Sequence, residues 1–285
     1  MNIKKYFFLI IILPLLPGCA ALNEINSYTA ISVSSLNKIN EVDYTFDKYC
    51  RRDCELQQLR SGAIDTLFHC DCQVPAAKAD EAIQKIHFTI TSYLNAIEQL
   101  SNNKSFTYDV SNLTASLQQN PLLNLTDNQV DIYTKAGNFI STAATAFYRK
   151  KKLKQYIEKA DPIFQQFTET FIFIINNRLR QQLRINYEVR LANLQQMLDN
   201  AKNNPALKQI IIKMFLDEQA YYKRHNILID NYAALLENVK KGHHDLYVQR
   251  SNLTNAKTKA LLRQYTKEVQ NIAATVESNK LNKIL

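Results

Sequence analysis

Apolar side chains return every three or four positions along most of this chain, the spacing that keeps them on one face of an α-helix. Leu36, Ile39, Phe46 and Cys50 follow it early, and Ile83, Ile86, Ile90, Leu94 and Ile97 follow it over residues 76–100. Tyr133, Ala136, Ile140, Ala143 and Phe147 mark a helix expected from 127 to about 160, and Leu262, Tyr265, Val269, Ile272 and Val276 mark the last one. Between 205 and 242 the steps of four and three never slip: Leu207, Ile211, Met214, Glu218, Tyr221, His225, Leu228, Tyr232, Leu235 and Val239. This is a coiled-coil seam with polar layers at Glu218 and His225, the kind of interruption that sets register. The pattern predicts an all-α protein of long helices.

Few residues punctuate these helices. Thr126 with Gln129 fits a capping box, Asp161-Pro162 and Asn204-Pro205 each place a capping side chain before a first-turn proline, and Gly242 is expected to stop a helix. Those marks divide 127–285 into segments of about 34 to 43 residues, each about 50 to 60 Å long if helical. Two architectures satisfy them. The chain reverses at 161, 204 and 242 as an elongated antiparallel bundle, or 127–285 is one long coiled-coil hairpin folded at 204 and kinked at Pro162 and Gly242. The bundle is expected, because it buries more of the stretch Ile163, Phe164, Phe167, Phe171, Ile172, Phe173, Ile174 and Ile175. Gln165, Gln166, Thr168, Glu169 and Thr170 make that stretch too polar and short to span a bilayer. Core packing is its expected role, with a concealed membrane-inserting element, as in helical pore-forming toxins, as the alternative.

Composition narrows the function classes. Only 4 glycines and 6 prolines occur in 285 residues, too few for the turns of a β-sandwich or barrel or for a phosphate-cradling loop. At 46% hydrophobic and 21% charged, the chain fits neither a disordered nor an integral membrane protein. The GxSxG, HExxH, GxxxxGK[ST] and GxGxxG motifs are all missing, so no catalytic residues, cofactor or metal are expected.

The first residues read as an address. Lys4 and Lys5 precede an apolar stretch from Tyr6 to Leu16, and Leu16-Pro17-Gly18-Cys19 forms a cleavage-like end. That stretch covers only about 16 Å, half of a hydrocarbon core, as in a secretory signal. With cysteine directly after Gly18, residues 1–19 resemble the lipobox signal of a bacterial lipoprotein precursor. The resemblance implies removal of residues 1–18, a diacylglyceryl group on the Cys19 thiol, and an acyl chain such as palmitate on its new amino group. Ala20 in the next position implies an outer-membrane lipoprotein facing the periplasm, with surface exposure as the variant. The resemblance ends at residue 19 and names no family for the rest of the chain.

The remaining domains are expected as a lipid anchor and tether (19–35, rich in Ser, Thr and Asn), an N-terminal helical hairpin with disulfides (36–100), a long loop (101–126) and a long-helix bundle (127–285). Cys19 apart, an even set of cysteines remains, which suits an oxidising compartment. Cys50 and Cys54 share a helix face, and Cys70 and Cys72 share a face of an extended segment, with matching spans of about 6 to 6.6 Å. Antiparallel pairing then favours nested bridges, Cys50–Cys72 and Cys54–Cys70, out of three connectivities. A metal site with His69 as a spare ligand is the competing reading, disfavoured by spacing and compartment.

The formal charge of +9 becomes +7 when Lys4 and Lys5 leave with the signal. Arg149, Lys150, Lys151, Lys152 and Lys154 form the densest cluster, and Lys240, Lys241, His243 and His244, joined by Arg178 and Arg180, are expected toward the same end. Such a pole suits anionic lipid headgroups, an anionic envelope polymer or an acidic protein partner; nucleic acid is not expected at an envelope address. His225 reads as a buried polar residue, and His243-His244-Asp245 as a helix cap and weak metal motif. The sequons at Asn103, Asn112, Asn124 and Asn252 are incidental to a bacterial address. The expected function is a non-enzymatic, lipid-anchored scaffold, adaptor or accessory subunit of an envelope complex, with its seams open to self-association as a homo-oligomer. A membrane-active protein is the alternative, and an envelope enzyme ranks last.

Overall fold

The computed structural model describes residues 17–61, 72, 75–102, 117, 120–144, 150–201, 203–253 and 255–281, and among these every regular element is helical. In chain order they are α1 (Pro17–Leu36), a 3₁₀ turn (Asn37–Val42), α2 (Phe46–Ser61), α3 (Pro75–Ser101), α4 (Asp127–Ala144), α5 (Lys150–Ile174), a π-helical turn (Ile175–Leu179), α6 (Arg180–Asn200), α7 (Pro205–Val248) and α8 (Ala256–Leu281). The all-α bundle with a disulfide at its N-terminal helices stands as expected, but it combines the two architectures: α5, the π turn and α6 run on as one rod that returns along α7 in a long hairpin folded at 201–204, and the other helices pack around it.

The axis is α7. Its 44 residues rise about 66 Å, and its seam is buried from Ile211 to Val239 apart from the half-buried Met214 and Tyr221. The C-terminal half packs against α1, α5 and α8; the N-terminal half pairs with α6 in a hairpin closed at 201–204. Asn204 caps α7 as its sequence predicts, accepting the Leu207 N–H at 3.0 Å ahead of Pro205. Thr126 and Gln129 likewise form the capping box that opens α4.

Three expected boundaries move. The chain does not reverse at 161, because Asp161-Pro162 lies inside α5. A proline there removes one N–H and leaves the carbonyl of residue 158 without a helical partner, and Pro162 faces solvent, where water can take its place. Asp161 caps nothing: its carboxylate is spent on two histidines of α7. Nor does Gly242 stop a helix. It is buried within α7, and a Cβ built there would meet Tyr28 Oη at 2.7 Å and ring carbons at 2.9 Å. The Tyr28 hydroxyl donates to the Val239 carbonyl at 2.7 Å, so glycine serves close approach and not termination. The reversal comes instead over 249–255, before α8.

The third shift divides the helix expected over 127–160. α4 ends at Ala144 and α5 begins at Lys150, and the two pack antiparallel, with Tyr133 edge-on to Phe167 and Phe139 stacked on Tyr156. No glycine or proline marks that division.

The expected tether at 19–35 is helix as well. Ile25, Tyr28, Thr29, Ser32 and Leu36 of α1 are fully buried, and α1 runs antiparallel to α3 and parallel to α8. Its Ser and Thr content reads as solvated linker, yet small hydroxyls bury cheaply when they bond back to their own helix, as Thr29 does to the Ile25 carbonyl at 3.0 Å. The aromatic stretch of α5 is core: Phe164, Phe167, Phe171, Ile172, Ile174 and Ile175 are buried, and Phe173 alone is exposed.

Cys50 is bridged to Cys72 with Cα atoms 5.6 Å apart, fastening α2 to the segment before α3. Cys54 is also disulfide-bonded, and its expected partner Cys70 lies outside the described residues. Across the same junction, Asp80 of α3 accepts the Phe46 and Asp47 N–H groups at 2.9 and 3.0 Å, capping α2 from a neighbouring helix.

If Gly242 exists for Tyr28, the two sites must couple. Gly242→Ala is expected to destabilise by about 1–3 kcal/mol through overpacking. In a Tyr28→Leu background the same change becomes neutral or stabilising by up to about 1 kcal/mol, the helix preference of alanine over glycine. Urea unfolding of the four proteins in a double-mutant cycle checks this, and additive effects contradict it.

Candidate functional site

Antiparallel packing gathers several helix ends at one pole. Glu24 of α1 pairs with Arg263 of α8 at 2.6 Å, Asn26 of α1 bonds Asn102 beyond the end of α3, and Glu158 of α5 pairs with Arg250 just past α7 at 3.1 Å. Lys154 reaches Ser251 at 3.3 Å, and Asp245 accepts the Tyr265 hydroxyl at 2.6 Å. The first turn of α1, which contains position 19, therefore stands at the same pole as the lysine-rich start of α5. The tip of the α6–α7 hairpin is at the other extreme.

The expected basic cluster is distributed as follows. Lys150, Lys151 and Lys152 open α5 and Lys154 is exposed, whereas Arg149 and the side chains of 150–152 lie outside what is described. Lys241 is exposed higher on α7. Lys240 is not a free cation: it pairs with Glu237 at 2.9 Å and approaches Glu169 at 3.9 Å. Arg178 and Arg180 leave the cluster, because α5 continues past 162 and carries them toward the far end. There Arg178 bonds the Leu123 carbonyl and Arg180 pairs with Asp230.

His243 and His244 fall inside α7 and not at a helix start. His243 Nδ1–H donates to Asp161 Oδ1 and His244 Nδ1–H to Asp161 Oδ2, each at 2.9 Å, and the Tyr93 hydroxyl donates to His243 Nε2 at 2.5 Å. Burial raises the Asp161 carboxyl, but the two imidazole bonds outweigh it and hold it below its ordinary value. Burial also keeps His243 below its usual range despite Asp161. The Tyr–His–Asp order is that of a relay, yet the space beside Tyr93 is about 10 Å³, less than a substrate needs. The network joins α3, α5 and α7. Among the described residues no group of three potential metal ligands occurs.

The polar layer at Glu218 has partners from two other helices. Arg52 of α2 donates Nη2–H to both carboxylate oxygens at 2.5 and 2.7 Å, and Arg190 of α6 donates Nε–H at 3.0 Å. Arg52 also lies 3.8 Å over the Tyr221 ring. Beside this triad, α2, α6 and α7 border a half-open cleft of about 710 Å³ lined by Leu56, Asn193, Met197, Met214 and Tyr221. Toward the hairpin tip, Ile210, Ile212 and Leu216 are about half exposed. Neither Arg52 nor Arg190 stands out in the sequence. One signal exists for the second: reflecting position 218 about 204 gives 190, the residue that a charged seam position calls for in an antiparallel hairpin.

His225, two turns beyond Glu218 along α7, donates Nδ1–H to the Tyr221 carbonyl at 2.8 Å, and its Nε2 has no partner among the described residues. Burial lowers its pKa to about 4. His87, between Tyr232 and Asn37, is lowered by burial to about 4 as well. No family model, no curated protein and no solved structure matches this chain.

These histidines fix the sign of a pH dependence. The unfolded chain takes up protons near pH 6.5, whereas folded His225 and His87 resist until about 4. Their stabilisation is therefore complete above about pH 6.5 and is lost as pH falls toward 4, by up to about 1.4 kcal/mol per pH unit per histidine. Urea midpoints should drop from pH 7.5 to pH 5, and His225→Phe should make that drop shallower; an unchanged pH slope contradicts the assignment.

Proposed function

We propose that the chain is a lipid-anchored, non-enzymatic protein of the bacterial cell envelope, held at the periplasmic face of the outer membrane and acting as a scaffold or adaptor through its helical surface. The observation that carries this reading is the position of Cys19. It lies in the first turn of α1, six residues before the buried Ile25, or about 9 Å along the axis. An acyl chain there holds the bundle itself at the membrane, with no flexible tether between. α7 then carries the α6–α7 tip, with its exposed Ile210 and Leu216, about 66 Å from the anchored pole. That separation suits a strut that presents an apolar surface to an envelope partner or to a second copy. The membrane-active alternative draws on the Phe164–Ile175 stretch, which is interior wall, and no described helix is long and apolar enough to cross a membrane.

Metabolic labelling with a palmitate analogue is expected to mark the native chain and to miss Cys19→Ala, which should accumulate uncleaved. Equal labelling of both overturns the anchor. For the scaffold, the protein extracted in mild detergent should migrate larger than a monomer, and Ile210→Arg with Leu216→Arg should return it to monomer size. A monomer from the start argues against a tip-mediated assembly.

A further inference from the structure

We infer that the anchored pole is a docking face for an anionic lipid leaflet, so that electrostatic contact adds to the acyl anchor and seats the bundle end-on. The inference rests on the lipid-anchor reading above and assigns that site's partner.

Three carboxylates at this pole have partners. Glu24 takes Arg263, Glu158 takes Arg250, and Asp245 takes the Tyr265 hydroxyl. The lysines differ: among the described residues no carboxylate pairs with Lys154, Lys257 or Lys259, and the first two are exposed. Lys150, Lys151 and Lys152 occupy the first turn of α5 beside them. Elsewhere several lysines are matched within their own helix, as in Lys213–Asp217, Lys85–Glu81 and Lys135–Asp131, and others, such as Lys78 and Lys223, stand singly. At this pole, by contrast, the lysines of two helix starts stand together, and that end contains position 19.

An apolar residue completes the face. Val248, the last residue of α7, is 51% exposed, and Tyr247 beside it packs under Arg250 at 4.3 Å. Lysines around a small apolar and aromatic patch match the headgroup region, where ammonium groups meet lipid phosphates and a short apolar side chain enters the acyl boundary. The shared register of α1 and α8 sets position 19 level with residue 258, between Lys257 and Lys259, so a leaflet held there meets these lysines at close range, where screening over a Debye length of about 8–10 Å is incomplete. A soluble anionic polymer has the same charge but no such tether, so the lipid surface is the occupant that the position of the anchor favours.

Amine footprinting of the full lipidated protein tests this. Reconstituted into vesicles of phosphatidylglycerol and phosphatidylcholine at a ratio of about 1:2, Lys154, Lys257 and Lys259 should be acetylated at least about threefold less than in detergent. The exposed Lys213 and Lys223 of the hairpin half should be unaffected. About 0.5 M NaCl, or pure phosphatidylcholine vesicles, should abolish most of the protection. A triple variant, Lys154→Gln, Lys257→Gln and Lys259→Gln, with unaltered thermal unfolding, should lose protection of the neighbouring Lys151 and Lys152. Unchanged labelling in anionic vesicles, or equal protection by neutral ones, overturns the docking face. Equal protection in detergent by dextran sulfate overturns it in favour of a polymer. The two readings fail separately: a Cys19 peptide without acyl mass, and protein that does not sediment with vesicles, defeats the anchor. Acylated, sedimenting protein with fully reactive lysines defeats only the docking.

Discussion

The contact between the Tyr28 ring and the backbone of Gly242 sets the distance between α1 and α7, and the arrangement of the pole depends on it. Only a residue without a Cβ admits a ring at 2.7–2.9 Å from where that carbon would stand. Glycine within a helix costs about 1 kcal/mol relative to alanine. Here that cost admits a buried hydrogen bond from Tyr28 to the Val239 carbonyl and brings the first and seventh helices to a common axis. With α1 at that spacing, α8 lies alongside it in parallel, and the salt bridges Glu24–Arg263 and Lys38–Glu277 share one register offset.

Along the same axis, buried polar groups choose partners that an apolar seam would leave undetermined. Glu218 selects α2 and α6 through Arg52 and Arg190; Asp161 selects α7 through His243 and His244. Apolar replacements of similar shape can match or exceed the stability of such groups. A carboxylate facing two arginines, however, loses heavily if the hairpin slips by a turn, because its desolvation then goes uncompensated. In an antiparallel pair of helices as long as α6 and α7, whose apolar contacts vary little with register, these nodes are what distinguish one alignment from the next.

Much of this was readable from residue order, and the failures have physical causes. Periodicity located the seam of α7 because a buried stripe is a local property of one helix. Asn204-Pro205 and Thr126–Gln129 were legible because a cap is made by residues three apart. Pro162 and Gly242 misled because their usual meaning is local while their role here is tertiary: Asp161 is drawn to α7, and Gly242 is kept small by a tyrosine 214 positions away in sequence. The polar α1 misled in the opposite sense, since Thr29 satisfies its hydroxyl within its own helix and needs no water. Of the basic cluster, the start of α5 was legible as charge, but its nearness to position 19 follows from a topology that no local pattern encodes.

That topology gives the molecule a polarity on which the proposed mode of action rests. A single helix runs from the pole that contains position 19 to the hairpin tip, so an orientation imposed at one end is imposed at the other, and no described hinge within α7 intervenes. Under the proposed anchoring, lysines without carboxylate partners at the pole would resist rotation of the bundle about a lone acyl chain, which by itself fixes position and not direction. In that arrangement the apolar side chains near the tip would be presented at a constant height above the leaflet. A partner meeting them has fewer orientations to lose on binding, which favours association without any new contact. Fixing where and at what angle a surface is displayed is the task we propose for this chain, and the uninterrupted α7 is the element suited to it.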